Sequence, residues 1–309
     1  MITLSSISKN FGEKKAVCDL SFTVGAGQVL GLLGPNGAGK STTMKMITGC
    51  LRPSSGRVTL GGFDIWDKPL QAKARLGFLP ESAPSYDDLT VQEFLNYFAS
   101  LRGMKRRERA EAVSGVIKLC DLEPVRNQSV DTLSKGYKHR ICLAQSLVHN
   151  PEVIVFDEPT DGLDPNQKRE VQSLINRIRE EKAIILSTHI LDEVENMCTD
   201  VVLLHQGRII RKGTPAQLRS ESTQSRHLCI HGQGVGLPEE ILELPGIKQL
   251  LSSEENRYRF LTDATTLSDR DALARDVLQY AQRRKWQVTS LSFASGSLEE
   301  VFRTLTYSS

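Results

Sequence analysis

One stretch constrains this chain more than any other: Gly34-Pro35-Asn36-Gly37-Ala38-Gly39-Lys40-Ser41-Thr42. It has the spacing G-x-x-x-x-G-K-[ST] of a phosphate-binding loop. The apolar run Gln28 to Leu33 before it predicts a buried strand, and Ser41 to Ile47 after it has helical spacing. Strand, glycine loop and helix together are the context in which the pattern forms a site. Glycines let the backbone turn several N–H groups toward one anion, and the helix start adds free N–H groups and a positive dipole end. Lys40 is expected to reach the β- and γ-phosphates of a nucleotide, and the Ser41 hydroxyl to ligate Mg²⁺.

The other chemistry-bearing residues fall where such a loop needs them. Val153-Ile154-Val155-Phe156 predicts a buried strand ending in Asp157-Glu158. Asp157 is positioned to hold Mg²⁺, directly or through water, and Glu158 to take a proton from an attacking water. Ala183 to Ser187 predicts another strand, with His189 beyond its carboxyl end and a helix over 191–197. In an open α/β sheet ligands sit beyond the carboxyl ends of the strands, which places Gly34, Asp157 and His189 together. Asp164 reads as the N-cap of a helix with Pro165 at its first position. Leu133-Ser134-Lys135-Gly136-Tyr137 precedes a helix expected from about Lys138 to Val148. Phe11, at the end of the first predicted strand, is either a core residue or an aromatic that stacks on a base.

Composition bounds the rest. The 309 residues suggest two domains, and 39% hydrophobic with 25% charged residues reads as globular. A net charge of +2 offers no general attraction for nucleic acid. No apolar run is long enough to span a bilayer, and the N-terminus begins as a strand without a signal-like region, so a cytoplasmic location is expected. Cys18, Cys50, Cys120, Cys142, Cys198 and Cys229 form no C-x-x-C pair, and reduced thiols are the default. The basic run Lys105-Arg106-Arg107 reads first as a solvated face. Thr90-x-x-Glu93 predicts a capping box opening a helix over 91–101.

This set of motifs resembles the ATP-binding subunit of an ABC transporter over about residues 1–220. GPNGAGKST resembles the Walker A loop, VIVFDE Walker B, LSKGY the signature usually written LSGGQ, and DGLD the D-loop; His189 matches the switch histidine. The stretch Leu79-Pro80-Glu81-x-x-Pro84-x-Tyr86 and LSKGY together resemble the ABC-2 exporter branch, nearest its gliding-motility-type ATPases. The resemblance implies a P-loop α/β domain over 1–220 with a helical subdomain at about 82–150. It implies stacking of adenine on Phe11 and two copies meeting head to tail around two ATP. In that dimer each ATP lies between one copy's phosphate loop and the other's Leu133–Tyr137 segment and D-loop, including Asp164. It also implies a separate polytopic membrane subunit holding the chain at the cytoplasmic face of the inner membrane. Glu81 stands where the family has its Q-loop glutamine and is expected to meet Mg²⁺. Lys135 and Tyr137 depart from the usual Gly and Gln of the signature, and Asp161 from the usual D-loop serine. The alternatives are a soluble relative acting on nucleic acid or ribosomes, and a nucleotide-binding regulator without turnover. The stretch between Lys40 and Asp157 carries no heptad run and no Cys pair, the chain has one phosphate loop, and Glu158 and His189 are both present, which disfavours them.

The tail over 221–309 reads as a separate small domain. A polar linker at Ser220 to Ser225 leads into the order β-α-β-β-α-β of a ferredoxin-like sandwich, closed by a last helix at about 297–305.

Overall fold

The computed structural model describes residues 1–81, 86, 88–233 and 237–307. Pro84 of the Leu79–Tyr86 stretch therefore lies outside the described residues. The chain divides into two units, Met1–Thr214 and Pro215–Ser309.

In the first unit the strands are β1 (Ile2–Phe11), β2 (Lys14–Val24), β3 (Val29–Leu33), β4 (Ser55–Leu60), β5 (Phe63–Asp64), β6 (Leu76–Leu79), β7 (Val153–Asp157), β8 (Ala183–Ser187), β9 (Asp200–His205) and β10 (Arg208–Gly213). They form two sheets, one ordered β2-β1-β4-β5 and one ordered β10-β9-β3-β8-β7-β6. In the first sheet β2 alternates as its sequence suggests, with Leu20, Phe22 and Val24 buried. In the second sheet β3 has all of its residues buried and runs parallel to both β8 and β9. A short, wholly apolar strand suits a parallel position covered on both faces. The helix Lys40–Ile47 is buried through Met44, Met46 and Ile47, which join Leu4 and Phe22 of one sheet and Leu32, Val155 and Val202 of the other in a single core. That core fixes the start of the helix, and so Lys40, against the ends of β3 and β7.

Helices Val91–Leu101, Arg106–Leu119 and Lys135–Leu147 make the helical part. The Thr90 capping box is present: its N–H donates to a Glu93 carboxylate oxygen at 2.9 Å, and its Oγ1 accepts from the Glu93 N–H at 3.3 Å. Arg107 pairs with Glu111 at 3.4 Å and is 93% exposed, which fits a solvated face. The third helix starts at Lys135, earlier than the expected Lys138. Ser134 is its N-cap, accepting from the Tyr137 N–H at 3.4 Å. Gly136, inside the first turn, packs so closely on the Gln167 side chain that a Cβ there would overlap it.

His139 and His149 lie in and just beyond this helix. Burial, with Lys135 or Arg102 nearby, pushes both imidazoles down to about 4. The Nδ1 of each is buried without a partner, as suits a neutral ring, while His149 Nε2 donates to the Leu76 carbonyl at 3.0 Å. The folded chain therefore stays unprotonated where the unfolded chain takes up protons, and stability is lost as pH falls from 6.5 toward about 4. Each group is expected to withdraw about 2–3 kcal/mol over that window. Denaturant unfolding at about pH 7 and about pH 5 checks this: His149→Gln should lose less stability on acidification than the native chain.

The second unit holds β11 (His227–Gln233), β12 (Ile247–Glu254), β13 (Arg257–Thr262) and β14 (Gln287–Phe293). They form an antiparallel sheet ordered β12-β13-β11-β14, the order of a split βαβ sandwich. Helix Leu267–Arg283 covers it, and Leu228, Ile230, Phe260, Leu273 and Val277 make its core. The division falls ahead of the expected linker, so the helix Pro215–Ser220, within the span 1–220 expected for the first domain, belongs to this unit. The Ser220–Ser225 stretch is not free chain. Ser222 Oγ bonds the Glu300 carboxylate, and Ser225 Oγ donates to the Ser220 carbonyl at 3.0 Å. Glu300 is remote in sequence, so composition alone reads the stretch as a linker.

Candidate nucleotide site

The phosphate loop leaves the carboxyl end of β3 and enters the helix Lys40–Ile47. Two of its glycines are dictated by close approach. A Cβ on Gly34 would stand 2.5 Å from the Leu204 carbonyl oxygen. Gly39 has φ 107°, and a Cβ there would stand 2.8 Å from the Ala16 carbonyl oxygen. The β9–β10 turn clamps the loop from the other side, with the Gly207 N–H donating to the Ala38 carbonyl at 2.9 Å and the Cys18 N–H to the Gly207 carbonyl at 2.7 Å.

Lys40 is buried, 8% exposed, and its ammonium donates to the Gly34 carbonyl at 2.6 Å and the Pro35 carbonyl at 3.3 Å. Burial lowers its pKa, while the carboxylates of Glu158 and Asp157 act in the opposite sense. The two acids therefore lie close enough to feel the lysine. Beside the loop is a cavity of about 620 Å³. Pro35, Asn36, Gly37, Gly39, Lys40, Ser41 and Thr42 form one wall and Phe11, Lys14, Lys15 and Ala16 another, with Gln206 at the edge. Phe11 is not core: it is 50% exposed, with the Lys9 ammonium 5.3 Å from its ring centre. Lys14, Lys15 and Gln206 were not singled out from sequence. The Lys14-Lys15 pair next to the Gly12 turn and Phe11 was the available signal.

At the ends of β7 and β8 three groups interlock. Ser187 Oγ donates to Asp157 Oδ1 and accepts from the Glu158 N–H at 3.1 Å. Glu158 has φ 50°, a left-handed backbone uncommon for a side chain of its size. His189 Nδ1 lies 3.0 Å from Glu158 Oε2. Burial raises the Glu158 pKa, opposed by His189 and Lys40. Ser187 was read only as the end of a strand; its role appears once β7 and β8 pair.

The remaining predicted residues stand elsewhere. Glu81 is exposed just beyond β6 and is not among the lining residues of the cavity. Leu133, Ser134, Lys135, Gly136 and Tyr137 open their helix apart from that cavity, and Asp164 caps the helix Pro165–Ile178 by accepting from the N–H groups of Asn166 at 2.9 Å and Gln167 at 3.0 Å. The two helix starts touch within one chain: Gly136 packs on Gln167, and the Lys135 ammonium packs on Gly162, beside Asp161.

Comparison with known proteins agrees with this arrangement. A family model described as ABC transporter matches residues 17–161. The ABC transporter ATP-binding protein NatA of Bacillus subtilis is 38% identical over 234 residues, which is 74% of this chain and 95% of that protein. The chain belongs to the ABC transporter family, among its ATP-binding subunits. The Nod factor export ATP-binding protein I of Rhizobium johnstonii is 34% identical over 308 residues, covering 99% of this chain and 94% of its own, so its similarity runs through the second unit too. A solved ATP-binding subunit of an ABC transporter superimposes with a TM-score of 0.66 at 30% identity, over 72% of this chain and 92% of that one. The fold expected from the motifs, an ABC ATPase domain of P-loop type, is therefore the fold observed. Among the described residues no helix is long and apolar enough to cross a membrane.

Proposed function

We propose that this chain is the ATP-hydrolysing subunit of an ABC-2 type exporter, near the gliding-motility-type ATPases. It works as a head-to-tail homodimer at the cytoplasmic face of the inner membrane, bound to a separate polytopic membrane subunit. The observation that carries the reading is the Glu158–His189 pair, 3.0 Å apart, at the strand ends beside the buried Lys40. Binding alone needs no such pair, whereas turnover needs a base held in place.

In this reading the N–H groups of Gly34 to Thr42 and the Lys40 ammonium receive the phosphates, and adenine stacks on Phe11. Glu158 takes a proton from the attacking water, and His189 holds the Glu158 carboxylate and meets the γ-phosphate. Ser134, with Leu133, Lys135, Gly136 and Tyr137, presents a second helix start to the γ-phosphate bound by the other copy, and Asp164 stabilises the D-loop at that seam. The donor set fits Mg²⁺: the Ser41 hydroxyl beside the loop and the Asp157 carboxylate are hard oxygens, and a few protein oxygens plus phosphate oxygens suit that ion. Magnesium would neutralise charge developing on the phosphates. Glu81 would supply a further carboxylate. Removing Mg²⁺ should then weaken ATP binding more in the native chain than in Glu81→Gln, because an unscreened carboxylate repels the γ-phosphate. Superimposable magnesium titrations would take Glu81 out of the site.

Similarity to export ATP-binding proteins over nearly the whole chain supports the exporter reading over a soluble ATPase acting on nucleic acid or ribosomes. Affinity purification from membranes tests it. The expected result is copurification of a polytopic membrane protein, with ATP turnover by the complex. Recovery with ribosomes or nucleic acid instead would overturn it.

A further inference from the structure

Behind the His189 turn lies a buried carboxylate that the mechanism above does not use. Glu193, third residue of the helix Leu191–Met197, is 2% exposed. Its oxygens face two ways. Oε2 accepts from Thr188 Oγ1 at 2.8 Å, and Oε1 meets the Lys168 ammonium at 3.2 Å. Thr188 is fully buried, and its Oγ1 also accepts from the Ile190 N–H at 3.1 Å. The residues on both sides of His189 are thus tied through one hydroxyl, and Glu193 aims that hydroxyl. The His189 ring is 57% exposed, so the turn beneath it, rather than packing around it, sets where the imidazole stands.

The other end of the network reaches the D-loop. Lys168 lies one helical turn past Asp164, to whose carbonyl its N–H donates at 2.9 Å. Asp161, at the start of that turn, donates its N–H to the Glu158 carbonyl at 3.1 Å. A carboxylate this buried persists only when paired and hydrogen-bonded, and replacing such a pair with apolar groups is often neutral for stability. Its geometry is what such a pair supplies.

We propose that Glu193 and Lys168 form a positioning pair that carries the placement of the Asp161–Asp164 segment to His189, through Thr188, so that the imidazole meets Glu158 when that segment is seated. This rests on the reading of Glu158 as the base. In this reading the pair acts through Thr188 and the His189 turn.

The test is steady-state ATP hydrolysis and ATP titration by the full-length chain carrying Glu193→Gln, Lys168→Met, Thr188→Val or Thr188→Ser, with melting followed in parallel. Glu193→Gln, Lys168→Met and Thr188→Val should each lower kcat by about ten- to a hundredfold, the scale of a small misplacement at a reacting centre, with KM and ATP affinity unchanged. Thr188→Ser, which keeps the hydroxyl, should keep kcat. The Glu193→Gln/Lys168→Met double variant should be no slower than the slower single variant, because the two act as one unit. Should Glu193→Gln fail to fold, the Thr188→Val and Thr188→Ser comparison decides alone. Native kcat in Thr188→Val and Lys168→Met, or loss of affinity and melting temperature in step with kcat, overturns the proposal. Glu158→Gln run alongside separates the two readings. If it is inactive while those two variants turn over normally, the positioning role alone fails. If it turns over normally, the base assignment fails and the proposal with it.

Discussion

Glu158→Gln is expected to slow ATP turnover by on the order of 10²–10⁴-fold, the usual worth of a positioned base, while leaving ATP affinity close to native. The substitution keeps size and shape and removes only the basic oxygen. The surroundings should hold the new side chain where the old one stood: the backbone N–H still donates to the Ser187 carbonyl and hydroxyl, and His189 Nδ1 still faces an amide oxygen at the Oε2 position. Burial works against the carboxylate, so a neutral amide relieves that cost, although Lys40 loses one opposing charge. Melting temperature should therefore not fall. With binding intact and hydrolysis slow, ATP-bound dimers should accumulate and be visible as doubled mass by light scattering. Native turnover in this variant would remove Glu158 from its role and leave the Glu158–His189 contact a structural one.

Lys40→Ala is the complementary experiment, because it should abolish detectable ATP binding and turnover together. The lysine is the one loop side chain that is both charged and buried, so its ammonium meets phosphate in a setting where water screens little. The substitution also strips a donor from the Gly34 and Pro35 carbonyls. Some loss of stability is thus expected as well, on the order of 1–3 kcal/mol for acceptors left unsatisfied. Circular dichroism must show a folded chain before the titration is read. Phe11 provides the graded arm of the same titration. Phe11→Ala should weaken ATP binding by roughly 1–3 kcal/mol, the value of a base stacked on an aromatic, and Phe11→Trp should retain it. An unchanged affinity in Phe11→Ala would mean that the exposed ring serves only its contact with Lys9. If Lys40→Ala binds ATP normally, the cavity beside the loop is not the nucleotide site.

What the sequence determined by itself was local. The phosphate loop is legible because its glycines answer constraints on a few consecutive residues, and the same holds for the Thr90 capping box, the Asp164 cap with Pro165, and the alternation of β2. Buried strands β3, β7 and β8 were visible as apolar runs ending in chemistry, and the general rule for parallel sheets then placed Gly34, Asp157 and His189 on one edge. Local reading also misjudged where neighbours in space decide. The signature helix starts at Lys135 because the Ser134 side chain caps it by accepting from the Tyr137 N–H, and Ser220 to Ser225 is tied down because Glu300 returns to it. The strand order β10-β9-β3-β8-β7-β6 joins segments that only packing brings together. Ser187 and Asp157 are 30 residues apart and Lys168 and Glu193 are 25 apart. No pattern along the chain announces either pair, because a hydrogen bond between buried groups is specified by where two elements come to rest. The residues proposed to bind phosphate could be read from sequence; how Glu158 and His189 are held became clear only from the tertiary structure.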